Sequence, residues 1–296
     1  MRWRHRALGW ILLCWVGLGH ATPITFRAMT FNLSCPWCGG SEYGSWGERQ
    51  RGLSNTLAGA SPDILATQEL MFSSNLELVR QSLPRLEPHY LDRGLPWLDS
   101  VLWVNRERFS VEAAGGFWVS PTPEARVGFG WVWSIPRAVV WLRLKERDSG
   151  QALTVVATHM DNNRGNKAPG MALLRERLAQ LGDTPLLVLG DINIQAGASL
   201  MTELTGAKPP ALVDSYARAQ AFHTPGVPQG ELDRACKDLI ASPFPGCRID
   251  LVLLDQRSTW EVPAYTIDLR RLGPAGNFIS DHRAVWVDLK LDPDRP

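Results

Sequence analysis

Short segments rich in β-branched and aromatic residues recur along most of the chain, and they limit the classes of fold that it can adopt. Runs of this kind, bounded by turn residues, predict β-strands. Leu153–Ala157 and Leu186–Leu189 are almost continuously apolar, a pattern typical of strands covered on both faces. The predicted strands are Thr25–Leu33, Ile64–Gln68, Val101–Asn105, Val139–Lys145, Leu153–His159, Leu186–Gly190, Ile249–Leu254 and Ala284–Leu291.

Helical patterns lie between several of these strands. Met171, Leu174 and Leu178 recur at the spacing of one helix face, which predicts a helix that ends near Leu181. Two further predicted helices are Glu48–Ala60 and Ser73–Leu83. The mixture of strands and helices predicts an α/β protein with sheets inside and helices outside.

The N-terminal segment differs from the rest of the chain. Residues 1–21 combine a basic start, an apolar run from Ala7 to Gly19 and small residues before a cleavage point, the pattern of a signal peptide. A membrane anchor is the alternative, but the run is shorter than the roughly 20 residues that span a bilayer. We therefore expect an exported chain, periplasmic or secreted, with one domain over residues 22–291 and a tail over 292–296.

The charge balance argues against general attraction to nucleic acid. The whole chain has 31 basic and 30 acidic residues, a net charge of +1. Cleavage after Ala21 would remove Arg2, Arg4 and Arg6 and no acid, which leaves 28 basic against 30 acidic residues and a charge of −2. Non-specific binding of nucleic acid depends on Lys and Arg neutralising phosphates, so only a local basic patch is left open.

Four cysteines would remain after export, and an even number in an exported chain predicts disulfides. The preferred pairs are the local ones, Cys35 with Cys38 and Cys236 with Cys247. A redox-active Cys-x-x-Cys motif and a zinc site that uses all four cysteines are the alternatives.

Polar residues with catalytic or metal-binding chemistry follow or interrupt the predicted strands. Any one of them is compatible with a turn, a helix cap or a buried core role. Several carboxylates gathered at one edge would repel each other unless a cation lies among them, and oxygen ligands suit Mg²⁺ or Mn²⁺ better than zinc. The residues are Asn32, Glu69, His159, Asp191, Asn193, Asp250, Asp281 and His282.

Six short motifs in order give a more specific indication. They resemble the motifs of the endonuclease/exonuclease/phosphatase superfamily, which includes deoxyribonuclease I, sphingomyelinases and inositol-polyphosphate phosphatases. That resemblance implies a four-layer α/β sandwich, in which two packed mixed sheets are flanked by helices. Residues 116–124, followed by Pro136-Arg137, resemble a bacterial exported subgroup. The motifs are Met29-Thr-Phe-Asn-Leu33, Gln68-Glu69, Thr158-His-Met-Asp161, Gly190-Asp-Ile-Asn193, Arg248-Ile-Asp250 and Ser280-Asp-His282.

The resemblance also implies roles. Glu69 is expected to be the principal metal ligand, helped by Asn32 and Asp281, with Mg²⁺ as the ion and Mn²⁺ or Ca²⁺ as alternatives. Asp191 would orient and deprotonate the attacking water, and Asn193 would hold the phosphoryl group or that water. Further expected roles are a pair of Asp250 with His282, assistance by His159 near the leaving group, and donation to the phosphate by Arg137. The sequence identifies no carboxylate partner for His159, and Asp161 is open between substrate and structural contact.

The implied activity is metal-dependent hydrolysis of a phosphoester, most readily by a phosphodiesterase or endonuclease-like enzyme. One alternative is a sphingomyelinase-like enzyme acting on a lipid head group or a small phosphate ester. A non-catalytic binding protein on the same scaffold is another. Ten tryptophans would remain after cleavage, and we expect most in the core, with stacking on bases or entry into a lipid interface as the alternative. No obligate protein partner is indicated, and a monomer is expected.

Overall fold

The computed structural model describes residues 22–38, 43–226, 248–273 and 276–292. The predicted signal peptide, Cys236 and Cys247 lie outside these ranges. No helix of the described residues has the length and apolar character needed to cross a membrane.

Seven strands form the first sheet, which is mixed. Its centre is β1, which runs antiparallel to β13 and parallel to β2. In spatial order the strands are β10 (Phe222–His223), β12 (Thr259–Ile267), β13 (Val285–Asp292), β1 (Ile24–Asn32), β2 (Ile64–Gln68), β4 (Ser100–Asn105) and β3 (Leu86–Tyr90). Strand β13 includes Asp292, which the sequence assigned to the tail.

Six strands form the second sheet, also mixed. Strands β7 and β8 are parallel, and β11 is antiparallel to β8. In spatial order the strands are β5 (Phe109–Trp118), β6 (Ala138–Glu146), β7 (Ala152–His159), β8 (Leu186–Asp191), β11 (Asp250–Asp255) and β9 (Leu212–Asp214).

Three apolar clusters define four layers. The largest lies between the two sheets and contains side chains such as Val155, Leu189 and Val287. The second joins the outer face of the first sheet to helices α1 (Trp46–Ala60) and α2 (Leu76–Ser82). The third joins the second sheet to α3 (Arg164–Ala179) and the short α4 (Thr202–Thr205). Each sheet therefore buries both faces, as the apolar strands predicted, and the four-layer sandwich is confirmed.

Helix α3 is longer than its apolar stripe predicted. It begins at Arg164, where the side chain of Asn163 accepts a hydrogen bond from the Gly165 backbone N–H. Pro169 lies inside it, at the sixth residue, where a proline removes one hydrogen bond of the helix. Met171, Leu174 and Leu178 are buried as expected, while Leu181 lies beyond the last helical residue.

The sheets pack so that one end of the sandwich collects the candidate residues. Strands β1 and β2 pack across the core against β7, β8 and β11. The carboxyl ends of β1, β2, β7 and β8 thus lie at one end of the sandwich. Strands β4 and β11 begin at the same end, because β4 is antiparallel to β2 and β11 is antiparallel to β8. This end is called the active edge below.

Candidate active site

The strand register places three candidate residues side by side in the second sheet. His159, the last residue of β7, is paired with Asp191, the last residue of β8. On its other side, Asp191 is paired with Asp250, the first residue of β11. All three are buried. Residues far apart in the chain therefore meet because three strands begin or end at one level.

Asp191 is the centre of the polar network. Its Oδ1 accepts a 2.8 Å hydrogen bond from the backbone N–H of Asn193. Its Oδ2 accepts from the side-chain amides of Asn32 and Asn193, each at 3.2 Å. The Nε2 atoms of His159 and His282 lie 3.4 Å and 3.7 Å from the same Oδ2. Burial opposes ionisation of Asp191, but the nearby histidines outweigh it and hold the pKa of this carboxyl below its usual value.

Asp250 and His282 form the expected pair. His282 Nδ1 lies 2.8 Å from Asp250 Oδ2. Burial opposes protonation of His282, but the carboxylates of Asp250 and Asp191 outweigh it and raise the pKa of the imidazole to about 10. Its Nε2 lies 3.7 Å from Asp191 Oδ2, so the ring stands between two carboxylates that favour its protonated form.

His159 has a carboxylate partner that the sequence did not identify. Its Nδ1 lies 2.8 Å from Oδ1 of Asp99, a fully buried residue just before β4. Burial and Arg137 lower the pKa of His159, but Asp99 and Asp191 outweigh them and raise it to about 9. Burial likewise opposes ionisation of Asp99, yet His159 and Arg137 hold the pKa of this carboxyl below its usual value. The site therefore contains two imidazoles, each backed by a buried carboxylate.

Asp99 carried only a weak signal in the sequence. It stands directly before Ser100, where β4 begins, and its φ is +46°, a value that non-glycine residues rarely adopt. Its backbone carbonyl accepts from the N–H of Glu69, because β4 is antiparallel to β2 and starts where β2 ends. Only that pairing brings Asp99 to the active edge.

Arg137 lies deeper than a phosphate-binding role would suggest. Its side chain is 7% exposed, and its Nη1 lies 3.3 Å from Asp99 Oδ1 and 3.0 Å from His159 Nδ1. In this arrangement Arg137 holds Asp99 beside His159. Direct donation from Arg137 to a phosphate stays a prediction.

The expected metal ligands lie on the first-sheet side of the site. Glu69 follows β2 with a φ of +64°, and its two carboxylate oxygens accept from the Asn32 amide at 3.3 Å and from the Cys35 N–H at 2.8 Å. Asp281 is partly exposed beside Ser280, whose hydroxyl donates to the Asn32 carbonyl at 2.8 Å. Asn32 directs its amide nitrogen at Glu69, while its Oδ1 accepts from the Ser34 N–H. The two carboxylates offer oxygen ligands, and the Asn32 amide holds Glu69 in position. Asn32 as a further metal ligand stays a prediction.

Arg49 supports this part of the site through hydrogen bonds to the backbone of two loops. Its side chain is fully buried and donates to the carbonyls of Leu33, Ser34, Cys35 and Ile279 at 2.8 to 3.1 Å. Burial lowers its pKa, and the charges of Asp281 and Glu69 oppose that shift, so both carboxylates lie near this guanidinium. Arg49 thereby ties the loop after β1 to the loop that carries Asp281 and His282. No motif in the sequence had indicated this role.

The residues present fit a hard divalent cation better than zinc. Glu69 and Asp281 are partly exposed oxygen donors of one sign, which suits Mg²⁺. A buried group, Asp191, Asp250 and His282, also has its ligand atoms within 4.8 Å of one another. In that group, His282 Nδ1 is hydrogen-bonded to Asp250 Oδ2, so this imidazole is already engaged with a carboxylate of the same group.

The Cys35–Cys38 disulfide, predicted as a local pair, is confirmed. It closes the turn after β1, and the Cys35 N–H contacts Glu69. Because the two sulfurs are joined to each other, they provide no thiolates for the zinc site considered above.

Asp161, left open between a substrate contact and a structural contact, makes structural contacts. Its Oδ1 accepts from the Asn163 N–H at 2.8 Å, and its Oδ2 accepts from Asn166 Nδ2 at 2.7 Å. It therefore joins the end of β7 to the start of α3. From that helix, Lys167 donates to the carbonyl of Asn193 at 2.6 Å.

Comparison of the sequence with models of protein families gives no match, and comparison with curated proteins gives none either. Solved structures, in contrast, are similar over nearly the whole chain. An endonuclease/exonuclease/phosphatase family protein from Bacteroides thetaiotaomicron is 22% identical, with 93% of this chain and 98% of that chain covered and a TM-score of 0.74. A second one, from Bacteroides vulgatus, is 20% identical, with 90% and 99% covered and a TM-score of 0.74.

A third similar structure is a mannosyl-6-phosphatase from Bacteroides thetaiotaomicron, 22% identical, with 89% of this chain and 98% of that chain covered and a TM-score of 0.70. The chain therefore has the fold of endonuclease/exonuclease/phosphatase proteins. The resemblance inferred from the six motifs is confirmed at the level of the fold.

Proposed function

We propose that this protein is a divalent-metal-dependent phosphoester hydrolase that positions a water for in-line attack on phosphorus. The observation that carries the proposal is the convergence on Asp191 of two imidazoles, each paired with a buried carboxylate, beside the oxygen donors Glu69 and Asp281. Phosphoryl transfer needs positioning and stabilisation of the charge on the equatorial oxygens more than it needs covalent chemistry. The shared fold, which occurs in an enzyme named as a phosphatase, supports the proposal.

In the proposed mechanism, Glu69 and Asp281 would hold the cation, and Asn32 keeps Glu69 oriented. When bound, such an ion acts as a Lewis acid that neutralises charge on a phosphoryl oxygen. Asp191, held ionised, accepts a hydrogen bond from the attacking water and takes its proton as the new P–O bond forms. Asn193 keeps Asp191 oriented through its backbone N–H.

The two imidazolium groups have different proposed tasks. His282, backed by Asp250, donates from Nε2 to a non-bridging phosphoryl oxygen. His159, backed by Asp99, has its Nε2 3.4 Å from Asp191 Oδ2 and keeps that carboxylate ionised and oriented. Protonation of the departing oxygen by His159, as the motifs implied, stays a prediction. Arg137 acts at least through Asp99 and His159, which its Nη1 contacts. Each imidazolium ring is held in one orientation by the carboxylate that accepts from its Nδ1.

Among phosphoesters, we place phosphodiesters first, as the motifs implied, and lipid head groups or small phosphate esters second. Three substrates separate these classes: plasmid DNA, sphingomyelin vesicles and bis-p-nitrophenyl phosphate. DNA left intact under conditions that hydrolyse the small ester would remove the nuclease function and leave the second class.

The direct test is hydrolysis of bis-p-nitrophenyl phosphate with Mg²⁺, Mn²⁺, Ca²⁺ or a chelator. We expect chelation to abolish turnover, and Glu69→Ala and Asp191→Asn each to reduce it by at least roughly a thousandfold, about 4 kcal/mol of barrier. Matched controls are Glu77→Ala and Asp183→Asn, the same substitutions at exposed positions. Activity of either site variant within about tenfold of wild type, roughly 1.4 kcal/mol, would refute its assignment.

We also propose that the enzyme works outside the cytoplasm. The support is the signal-like segment at residues 1–21 together with the Cys35–Cys38 disulfide, a bond that persists mainly in oxidising compartments. N-terminal sequencing of the protein expressed from its full reading frame tests this directly. A mature chain that still begins at Met1 and stays in the cytoplasm contradicts the proposal.

A further inference from the structure

The connection between β5 and β6 presents a patch of apolar side chains to solvent. It comprises residues 127–136 and is called the aromatic loop here. Trp133 is 77% exposed, and the rings of Phe129 and Trp133 stack with centroids 6.4 Å apart. Single exposed apolar residues are ordinary, but a contiguous group marks an interaction surface. The exposed members are Phe129 (43%), Trp131 (40%), Val132 (49%), Trp133 (77%) and Ile135 (45%).

The aromatic loop is held in place by a fully buried amide. The Asn166 side chain accepts from the Val132 N–H at 2.6 Å and donates to the Val132 carbonyl at 2.7 Å. Gly130 allows this approach, because a Cβ there would lie 2.2 Å from Asn166 Nδ2. A second anchor is the hydrogen bond from the Ser134 hydroxyl to Asp161. The apolar side chains therefore point outward on a fixed backbone.

The same anchors connect the aromatic loop to the active edge. Asp161 stands two residues after His159, just beyond the end of the strand that carries that imidazole. At its other end the loop runs into Arg137, whose Nη1 lies 3.0 Å from His159 Nδ1. A surface that touches Trp133 consequently lies at the rim of the catalytic site.

A second exposed aromatic pair lies across the same edge. Trp37, in the turn closed by the disulfide, is 60% exposed, and its ring centroid is 5.6 Å from that of Phe72. Phe72 comes shortly after Glu69 at the end of β2. Exposed aromatic side chains thus stand next to both the Glu69 side and the His159 side of the site.

The composition of the aromatic loop favours a lipid surface over nucleobases. Val132 and Ile135 have no ring face on which a base could stack, whereas hydrocarbon accepts aliphatic and aromatic side chains alike. Tryptophan is enriched where a protein meets the membrane–water boundary. No acidic residue occurs from Ala125 to Lys145, and Arg126 and Arg164 are exposed beside the patch. Basic groups next to an apolar tip complement anionic head groups.

We propose that the aromatic loop docks this protein on an anionic phospholipid surface. Docking is a property of the loop and is independent of the chemistry. That the enzyme then hydrolyses phosphoesters presented at that surface rests on the proposed function.

The test is co-sedimentation of the purified protein with phosphatidylcholine–phosphatidylglycerol vesicles, and with phosphatidylcholine vesicles for comparison. We expect wild type to bind the anionic vesicles more tightly, and Trp131→Ala/Trp133→Ala to lose at least roughly tenfold in affinity, since binding strength follows the apolar area inserted. Phe129→Ala should weaken binding and Phe222→Ala should not, although both rings are 43% exposed. Thermal melting checks that each variant is folded.

Two results overturn the inference. One is equal vesicle binding by wild type and the double variant, or no binding by either. The other is that wild type binds a single-stranded oligonucleotide but no vesicles, and that the double variant no longer binds the oligonucleotide. That result would assign the loop to nucleic acid. Hydrolysis of bis-p-nitrophenyl phosphate keeps the two proposals apart: loop-dependent vesicle binding without any hydrolysis supports docking and counts against the proposed function.

Discussion

At the scale of single residues, the site contains ionised side chains that would be too costly to bury without partners. Asp99, Asp191 and Asp250 are buried at one end of the sandwich together with His159 and His282. A buried ion is costly unless it is paired and hydrogen-bonded, and here each imidazole is bonded to a carboxylate. The pairing keeps both imidazoles cationic at neutral pH. Removing one carboxylate should therefore alter its histidine before anything else.

We predict that Asp99→Asn lowers the pKa of His159 from about 9 toward its ordinary value, because only Asp191 then opposes burial and Arg137. In wild type the folded-state pKa is raised, so His159 contributes stability fully below about pH 6.5, and this is lost as pH rises through about 9. The variant should therefore be destabilised more at pH 6 than near pH 10. Histidine NMR titration and urea unfolding measure the two effects.

The control for this prediction is Asp92→Asn, the same substitution at an exposed position of the same loop. It should leave the titration of His159 unchanged. An unaltered pKa of His159 in Asp99→Asn would show that the carboxylate does not control the imidazole.

At the scale of elements, Asp191 is positioned by how closely β7 and β8 pack. Gly190 precedes Asp191 and has a φ of +151°, and a Cβ on it would lie 1.9 Å from the carbonyl oxygen of Thr158. Only glycine fits there without separating the strands that hold His159 and Asp191 in register. Steric exclusion of a Cβ therefore explains why glycine occupies the first position of the motif Gly190-Asp-Ile-Asn193.

We predict that Gly190→Ala destabilises the fold by roughly 2 to 4 kcal/mol through this clash and backbone strain. Displacement of Asp191 by as little as about 1 Å should also lower turnover of bis-p-nitrophenyl phosphate roughly a hundredfold. Urea unfolding and the hydrolysis assay measure the two effects. Gly94→Ala is the control, because Gly94 also has a positive φ, +68°, but nothing within 4 Å of a Cβ. Equal behaviour of the two variants would exclude the steric explanation.

At the scale of the whole molecule, two sheets from distant parts of the chain bring like charges together. Glu69 and Asp281 belong to the first sheet's side of the active edge, and Asp191 and Asp250 to the second sheet's side. Arg49 offsets part of this repulsion from within the protein. A bound divalent cation should offset more of it, so it should stabilise the fold as a whole.

We predict that Mg²⁺ raises the unfolding temperature of wild type, because an ion that binds only the folded state stabilises it by about 2.7 kcal/mol at a hundred times its Kd. Glu69→Ala should abolish most of this increase, and Glu77→Ala should retain it. Differential scanning calorimetry with Mg²⁺ or a chelator measures the shift without reference to activity. The same Mg²⁺-dependent shift in Glu69→Ala would exclude Glu69 as a principal ligand.

Periodicity and composition predicted the elements that are buried on both faces. The central strands β1, β2, β7 and β8 were found nearly to the residue, because burial on two sides requires continuous apolar runs. Strand β12 was missed, since Pro263 interrupts its pattern and the strand accommodates it at a bulge between Glu261 and Ala264. Strand β3, with Pro88 at the sheet edge, was missed for the same reason.

The motifs were enough to propose the chemistry of the candidate site, because residues such as Asp191 and Asp250 stand at strand ends that meet at one edge of the sheet. The partners of these residues became visible only in the folded chain. Asp99 reaches His159 through the pairing of β4 with β2, and Arg49 reaches the site from the outer helix layer. Neither contact has a periodicity or spacing in the chain, since both depend on how separate layers pack. The exposure of the aromatic loop also could not be predicted from the sequence, because its apolar residues have the composition of a core segment. Contacts with Asn166 and Asp161 in the folded chain hold these residues at the surface.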